Sequence, residues 1–76
     1  MSMKEFYLEK LFLDLKNNRS VKLIRASQKF INYIAIQCYT DVSYKQNSDG
    51  EYTMHITDIP VVADDAILSR YYELEF

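Results

Sequence analysis

The side chains able to do chemistry are few. The 76-residue chain holds one histidine (His55), one cysteine (Cys38) and one glycine (Gly50), beside eleven carboxylates and nine lysines and arginines. A catalytic histidine needs a nucleophile and an orienting partner within hydrogen-bond reach. No pattern in the chain nominates either for His55. Alternation along its segment sets it beside Ser43 on the outer face of a hairpin, where it reads as a solvated side chain. Cys38 falls on the apolar side of its segment however that segment folds, which makes it a small core residue before a reactive thiol.

A metal site would have to rest on carboxylates. Asp64 and Asp65 are adjacent, which suits a helix start, and Asp41, Asp49, Glu51 and Asp58 lack the spacing of a calcium loop. A single glycine rules out a glycine-rich phosphate cradle. None of the patterns G-x-S-x-G, H-E-x-x-H or C-x-x-C occurs. The expectation is a protein that is not an enzyme and uses no metal or cofactor.

What stands out instead is charge. Residues 1–29 carry seven bases against three acids, and residues 30–76 carry eight acids against two bases, giving balances of +4 and −6 within a net charge of −2. Such a split concerns association rather than fold. The acidic half ends in Tyr71, Tyr72, Glu73, Glu75 and Phe76. With Asp64 and Asp65, the tyrosines and glutamates form a candidate contact surface for a basic protein partner, tyrosine being a favoured interface residue. Core closure would claim one of the two tyrosines. The alternative is nucleic acid held by the basic segment Lys16–Lys29, through Arg19, Lys22, Arg25 and Lys29, in a helix-turn-helix-like arrangement. A sequence pI near 5.2 weighs against it.

The 76 residues are enough for one domain with one core. An apolar fraction of 49% with 14% aromatics supplies that core. Lys4, Glu5, Glu9, Lys10 and Asp14 interrupt every apolar run near the N-terminus, so neither a signal peptide nor a membrane span of ~20 residues is expected. With one cysteine there is no internal disulfide. The expected location is the cytoplasm, of a cell or of a host.

Residues 3–16 predict a helix, with Tyr7, Leu8, Leu11, Phe12 and Leu15 on one face and Phe6 and Leu13 on the other. Asn17 and Asn18 end it, with asparagine suited to a left-handed cap. Residues 42–56 predict a β-hairpin around Ser48-Asp49-Gly50, a type I turn with a glycine bulge. That register sets Val42 against Ile56, Tyr44 against Met54 and Gln46 against Tyr52, all on one face. Residues 20–41 support two readings. As a helix, Leu23, Ile24, Phe30, Ile31, Ile34 and Cys38 share one side. As strands, residues 20–26 and 31–46 alternate and are rich in β-branched and aromatic residues; this reading is preferred. Pro60 should end any strand, and Ala63-Asp64-Asp65 should start a last helix bearing Ile67, Leu68, Tyr71, Tyr72 and Leu74.

The expected fold is α+β, a small antiparallel three-stranded sheet with flanking helices in the order α-β-β-β-α; the alternative order is α-α-β-β-α. An exposed edge strand in such a sheet allows a homodimer. Short, acidic, compact and rich in Tyr, Ile, Lys and Asn, the chain is similar in format to small phage-encoded inhibitors of host or defence enzymes. That resemblance implies an inhibitor or adaptor that blocks a macromolecular enzyme, and it assigns no residue a role.

Overall fold

The computed structural model describes residues 2–37, 40–67 and 71–76. The order of elements is α1 (Met3–Asn17), β1 (Leu23–Ala26), α2 (Gln28–Gln37), β2 (Val42–Gln46), β3 (Tyr52–Ile56), β4 (Ile59–Ala63) and β5 (Tyr72–Glu75). The strands form one five-stranded sheet in the order β2-β3-β4-β1-β5. β1 runs parallel to β4 and antiparallel to β5, and β2, β3 and β4 form an antiparallel meander. The α+β class stands, but the sheet is five-stranded and mixed rather than three-stranded and antiparallel.

α1 begins where a capping box sits in the sequence. The Ser2 hydroxyl accepts the Glu5 amide at 3.2 Å, and the Phe6 amide bonds the Ser2 carbonyl at 3.1 Å. The helix ends one residue beyond the expected boundary. Asn18 is extended rather than left-handed (φ −130°) and satisfies the helix end through its side chain, which donates to the Asp14 carbonyl at 2.8 Å. Leu8, Leu11 and Leu15 are buried, with Tyr7 and Phe12 packed beside them. Phe6 and Leu13 are exposed, so α1 is packed on one side.

Residues 20–41 combine the two readings. β1 takes the first half of the strand reading, whereas residues 28–37 are helical, correcting the long strand expected over 31–46. The deciding residue is Ser27. Its hydroxyl accepts the Phe30 amide at 3.3 Å and its carbonyl accepts the Ile31 amide at 3.0 Å. Asp65, from the far end of the chain, accepts the Gln28 amide at 3.1 Å. A serine cap with an acid beside the first turn starts a helix despite the β-branched content that follows. Phe30 and Ile34, one turn apart, are then fully buried. The expectation for Cys38 lies outside the described residues.

The β2–β3 hairpin has the predicted register, with Val42 opposite Ile56, Tyr44 opposite Met54 and Gln46 opposite Tyr52. Gly50 takes φ +88°, and its amide closes the turn on the Asn47 carbonyl at 3.0 Å. Only the base of the hairpin is covered. Met54 and Ile56 are buried, while Tyr44 is 52% and Tyr52 67% exposed, so the tip extends past the helices.

The C-terminal third departs furthest from expectation. A second hairpin joins β3 to β4 through Thr57 and Asp58, both at positive φ (52° and 65°) as a type I′ turn requires. Pro60 lies within β4 rather than ending a strand. The closing pair of this hairpin is Ile56–Ile59, so the next position, opposite His55, owes β3 no amide hydrogen bond. The helix expected from Asp64 is replaced among the described residues by a turn and then β5. Asp64 folds its carboxylate onto the Ala66 amide at 3.1 Å, while Tyr72–Glu75 pair along β1. The part of that expected helix at Leu68 lies outside the described residues.

One cluster forms the core. Leu8, Leu11 and Leu15 of α1 and Phe30 and Ile34 of α2 pack on Ile24, Ala26, Met54, Ile56, Val61 and Tyr72 of the sheet. These sheet residues share one face by register, so both helices cover the same side.

Thr57 is β-branched and held at φ +52°, a conformation that asparagine tolerates far better. Thr57→Asn should therefore raise unfolding stability by about 1 kcal/mol. Thermal and urea unfolding check this, and a variant no more stable than the parent would count against the strained turn.

Candidate functional site

The helix-free face of the sheet follows from strand alternation. Where Ile24 and Ala26 point to the helices, Leu23 and Arg25 point away. Their register partners place Val62 on one side of Arg25 and Glu73 on the other, with Glu75 opposite Leu23. Continued outward, this face carries Pro60 beside His55, then Ser43, Lys45 and Thr53. The centre is apolar, made of Leu23, Pro60 and Val62. The β5 side is acidic.

Arg25 organises that acidic side. Its guanidinium lies 2.6 Å from the Glu75 carboxylate and 3.7 Å from that of Asp64. The three side chains are 31–42% exposed, so each pair adds at most about 1 kcal/mol in screened surroundings. The consequence is positional. One guanidinium holds at one place a carboxylate that follows β4 and one that ends β5, and Glu73 is its register partner on β5.

The structure thus sorts the expected protein-contact residues into two groups. Glu73, Glu75 and Asp64 come together at the open face. Tyr72 is buried, and Tyr71 is half-buried with its ring stacked on Tyr7 at 4.6 Å and edge-on to Phe30 at 5.4 Å. Asp65 is occupied at the start of α2. A strand at 72–75 alternates its side chains, so those of Tyr72 and Glu73 leave opposite faces of the sheet.

The basic residues of the nucleic-acid reading are also divided. Arg19 lies in the turn after α1, Lys22 precedes β1, Arg25 sits in its ion pairs, and Lys29 is in the first turn of α2. They do not follow one helix, which the helix-turn-helix-like arrangement requires.

A second polar cluster lies on the helix side, at an open cleft of about 630 Å³ between α1 and β5 lined by Tyr7, Lys10, Asp14, Tyr72, Glu73, Leu74 and Phe76. The Tyr72 hydroxyl donates to the Asp14 carboxylate at 2.5 Å, and Lys10 reaches the same oxygen at 3.2 Å. The Lys10 ammonium also stands 5.6 Å from the Tyr72 ring centre. The hydrogen bond from Tyr72 holds the Asp14 carboxyl below its ordinary value, against the opposing effect of burial. Burial, and then Asp14, push the Tyr72 hydroxyl well above its ordinary value. The two shifts favour an ionised Asp14 accepting from a protonated Tyr72, the states that their hydrogen bond requires. This contact joins residues far apart in sequence, and no local pattern announces it.

His55 lies on the open face with Nδ1 3.0 Å from the Thr53 carbonyl. Among the described residues, no group of three or more His, Cys, Asp or Glu side chains is placed to hold a metal ion. No helix of the described residues is long and apolar enough to cross a membrane. Compared with protein-family models, curated proteins and solved structures, the chain matches none.

Removing the Tyr72 hydroxyl tests the cluster. A lowered Asp14 pKa stabilises the fold above the ordinary carboxyl value of 3.8, and the effect is lost as pH falls through the folded-state value. A raised Tyr72 pKa stabilises below 10.0 and is lost as pH rises beyond it. Tyr72→Phe should therefore destabilise the protein near pH 7, with the deficit shrinking below pH 3.8 and above pH 10.0. A deficit independent of pH, measured by urea unfolding across the range, would show that only packing had been lost.

Proposed function

We propose that this chain is a small protein-binding module rather than an enzyme, an inhibitor or adaptor that docks through the helix-free face of its sheet. The observation that carries the reading is the make-up of that face. Leu23, Pro60 and Val62 form an apolar centre, and Glu73, Glu75 and Asp64 gather on its β5 side. An apolar centre with a charged rim is the anatomy of protein interfaces. Two of the acids are already held in place by Arg25, which lowers the ordering cost of meeting a partner.

Charge selects the partner class. Two carboxylates paired with one guanidinium, with a third on the strand position across from it, suit a basic protein surface, such as the nucleic-acid channel of an enzyme, and repel phosphate. Blocking such a channel would need no chemistry from the blocker. The resemblance in format to small phage-encoded inhibitors points to a host enzyme as the target.

The test places a photo-crosslinking side chain at Val62 or Thr53 on the open face, and at Glu9 on the exposed side of α1. The first two should trap a protein with a basic surface, and the third should not. Glu73→Lys should weaken binding to the trapped protein by about tenfold or more, and added salt should weaken it further. Capture from Glu9 alone, or steep salt-dependent binding of DNA with no protein partner, would overturn the proposal.

A further inference from the structure

Backbone hydrogen bonds alternate in direction along an edge strand, and two contacts fix their phase in β2. The Asn47 amide bonds the Glu51 carbonyl at 2.6 Å, and the Thr57 amide bonds the Asp41 carbonyl at 2.9 Å. Residues 41 and 47 therefore face β3, and in an antiparallel ladder 43 and 45 face it too. Val42, Tyr44 and Gln46 must then direct their amide and carbonyl groups away from the sheet. β2 is the first strand in the order, so among the described residues no strand meets these groups.

We propose that this edge is completed by a second copy of the chain, in an antiparallel pairing about a two-fold axis at Tyr44. The register is self-complementary. Tyr44 meets the second copy's Tyr44, and Val42 meets Gln46 at each end, with two backbone hydrogen bonds at each of the three pairs. On the other face, Lys45 meets Ser43, so the lysines do not oppose one another. Lys45 also has a counter-ion of its own in Asp58, 3.4 Å away. Edge strands that avoid pairing carry proline, a bulge or charged side chains, lysine above all, and Lys45 is the one such charge in β2. Between Val42 and Gln46 there is neither proline nor bulge.

The other edge offers a contrast. β5 directs Tyr72 and Leu74 outward, because the Ser27 amide bonds the Tyr71 carbonyl and residues 71, 73 and 75 face β1. The same two-fold pairing about Leu74 would set Glu73 against the second copy's Glu75. Like charges directly opposite disfavour that contact. Like charges thus oppose pairing at β5, whereas Lys45 of β2 is offset from its counterpart in the second copy and is already paired with Asp58.

The helix side admits the second copy. The helices leave Tyr44 and Tyr52 more than half exposed. Tyr44 also lines a groove of about 540 Å³ running from α2 across Ile31, Ala35, Met54 and Val61. Pairing would bring the two Tyr44 rings together where that groove meets the edge, adding aromatic contact to the backbone bonds. A contact built on a five-residue strand is small, at the low end of specific interfaces (below about 1,200 Å²), so the dimer should dissociate on dilution. It leaves β5 and the acidic side of the open face free, and is independent of the protein-binding reading.

Sedimentation equilibrium of the full chain over a wide concentration range tests the dimer, with amide hydrogen exchange as the positional readout. The expected result is a monomer–dimer equilibrium in which the amides of Val42, Tyr44 and Gln46 gain protection as concentration rises, while those of Tyr72 and Leu74 do not. Tyr44→Pro removes an outward amide without touching the β2–β3 ladder, and Tyr44→Lys sets two like charges across the axis. Each should abolish the dimer, with circular dichroism confirming that the fold is kept. A parent chain monomeric throughout, a dimer that survives a folded Tyr44 variant, or assemblies that keep growing with concentration would overturn the proposal. Protection at β5 in place of β2 would do so as well.

Discussion

The structure depends on the placement of β1, four residues held between β4 and β5. A strand parallel to one neighbour and antiparallel to the other cannot be reached by hairpins alone, because parallel pairing requires a crossover. The chain supplies it by leaving β1 through α2, running out to the edge at β2 and returning through β3 to β4. α2 is thereby carried to the same side as α1, and that side holds the whole core. Ile24 and Ala26 are fully buried against the helices, and the alternate residues Leu23 and Arg25 are left to the open face. One short strand anchors the core and centres the candidate interface. A substitution that shifted its register by one residue would exchange the two roles.

What could be read from sequence followed the range of the interactions concerned. The Val42–Ile56 hairpin was legible in full because a glycine turn and period-two alternation specify it within fifteen residues. α1 was legible for the same reason. α2 was not, since its start rests on Ser27, a residue that marks a helix only once the preceding strand has ended. β5 was illegible in principle. Residues 71–75 hold two tyrosines and a leucine whose spacing serves a helix as well as a strand, and only the pairing of Tyr72–Glu75 with β1 decides between them. The Thr57–Asp58 turn lacks the glycine that normally announces a type I′ hairpin, and without that signal Pro60 carries the sequence pattern of a strand terminator. The candidate site was half legible. Of the acids gathered by charge, Glu73, Glu75 and Asp64 share the open face while Asp65 caps α2, and the tyrosine neighbours belong to the other face because the segment is a strand.

The charge split between the two halves does not survive folding as two separate faces. β1 from the basic half lies beside β5 from the acidic half, so Arg25 meets Glu75 and Asp64. Asp65 reaches back to cap α2. The described members of the basic half's remaining charge, Lys4, Lys10, Lys16, Arg19, Lys22 and Lys29, are spread over two helices and their connections. The acids at β5 are instead brought within one patch. Dispersal of the cations and concentration of the carboxylates argue that any field able to steer a partner comes from the β5 side.

Aromatic residues are partitioned in a way that separates folding from association. Phe30 is fully buried, with Tyr33, Tyr71 and Tyr72 all within 6.5 Å of its ring. Tyr7 extends this group to α1 through its stack on Tyr71. A chain of this length buries little surface in aliphatic contacts alone, so large rings shared between α1, α2 and β5 contribute a disproportionate part of its cohesion. The Tyr72 hydroxyl adds a polar tie to Asp14 that a phenylalanine could not make. Tyr44 and Tyr52 take no part in this group and stand exposed on the far hairpin. Core cohesion is therefore complete without them. Exposed rings on β2 and β3, outside the shared core, make the hairpin the place where the proposed pairing of two copies would add aromatic contact.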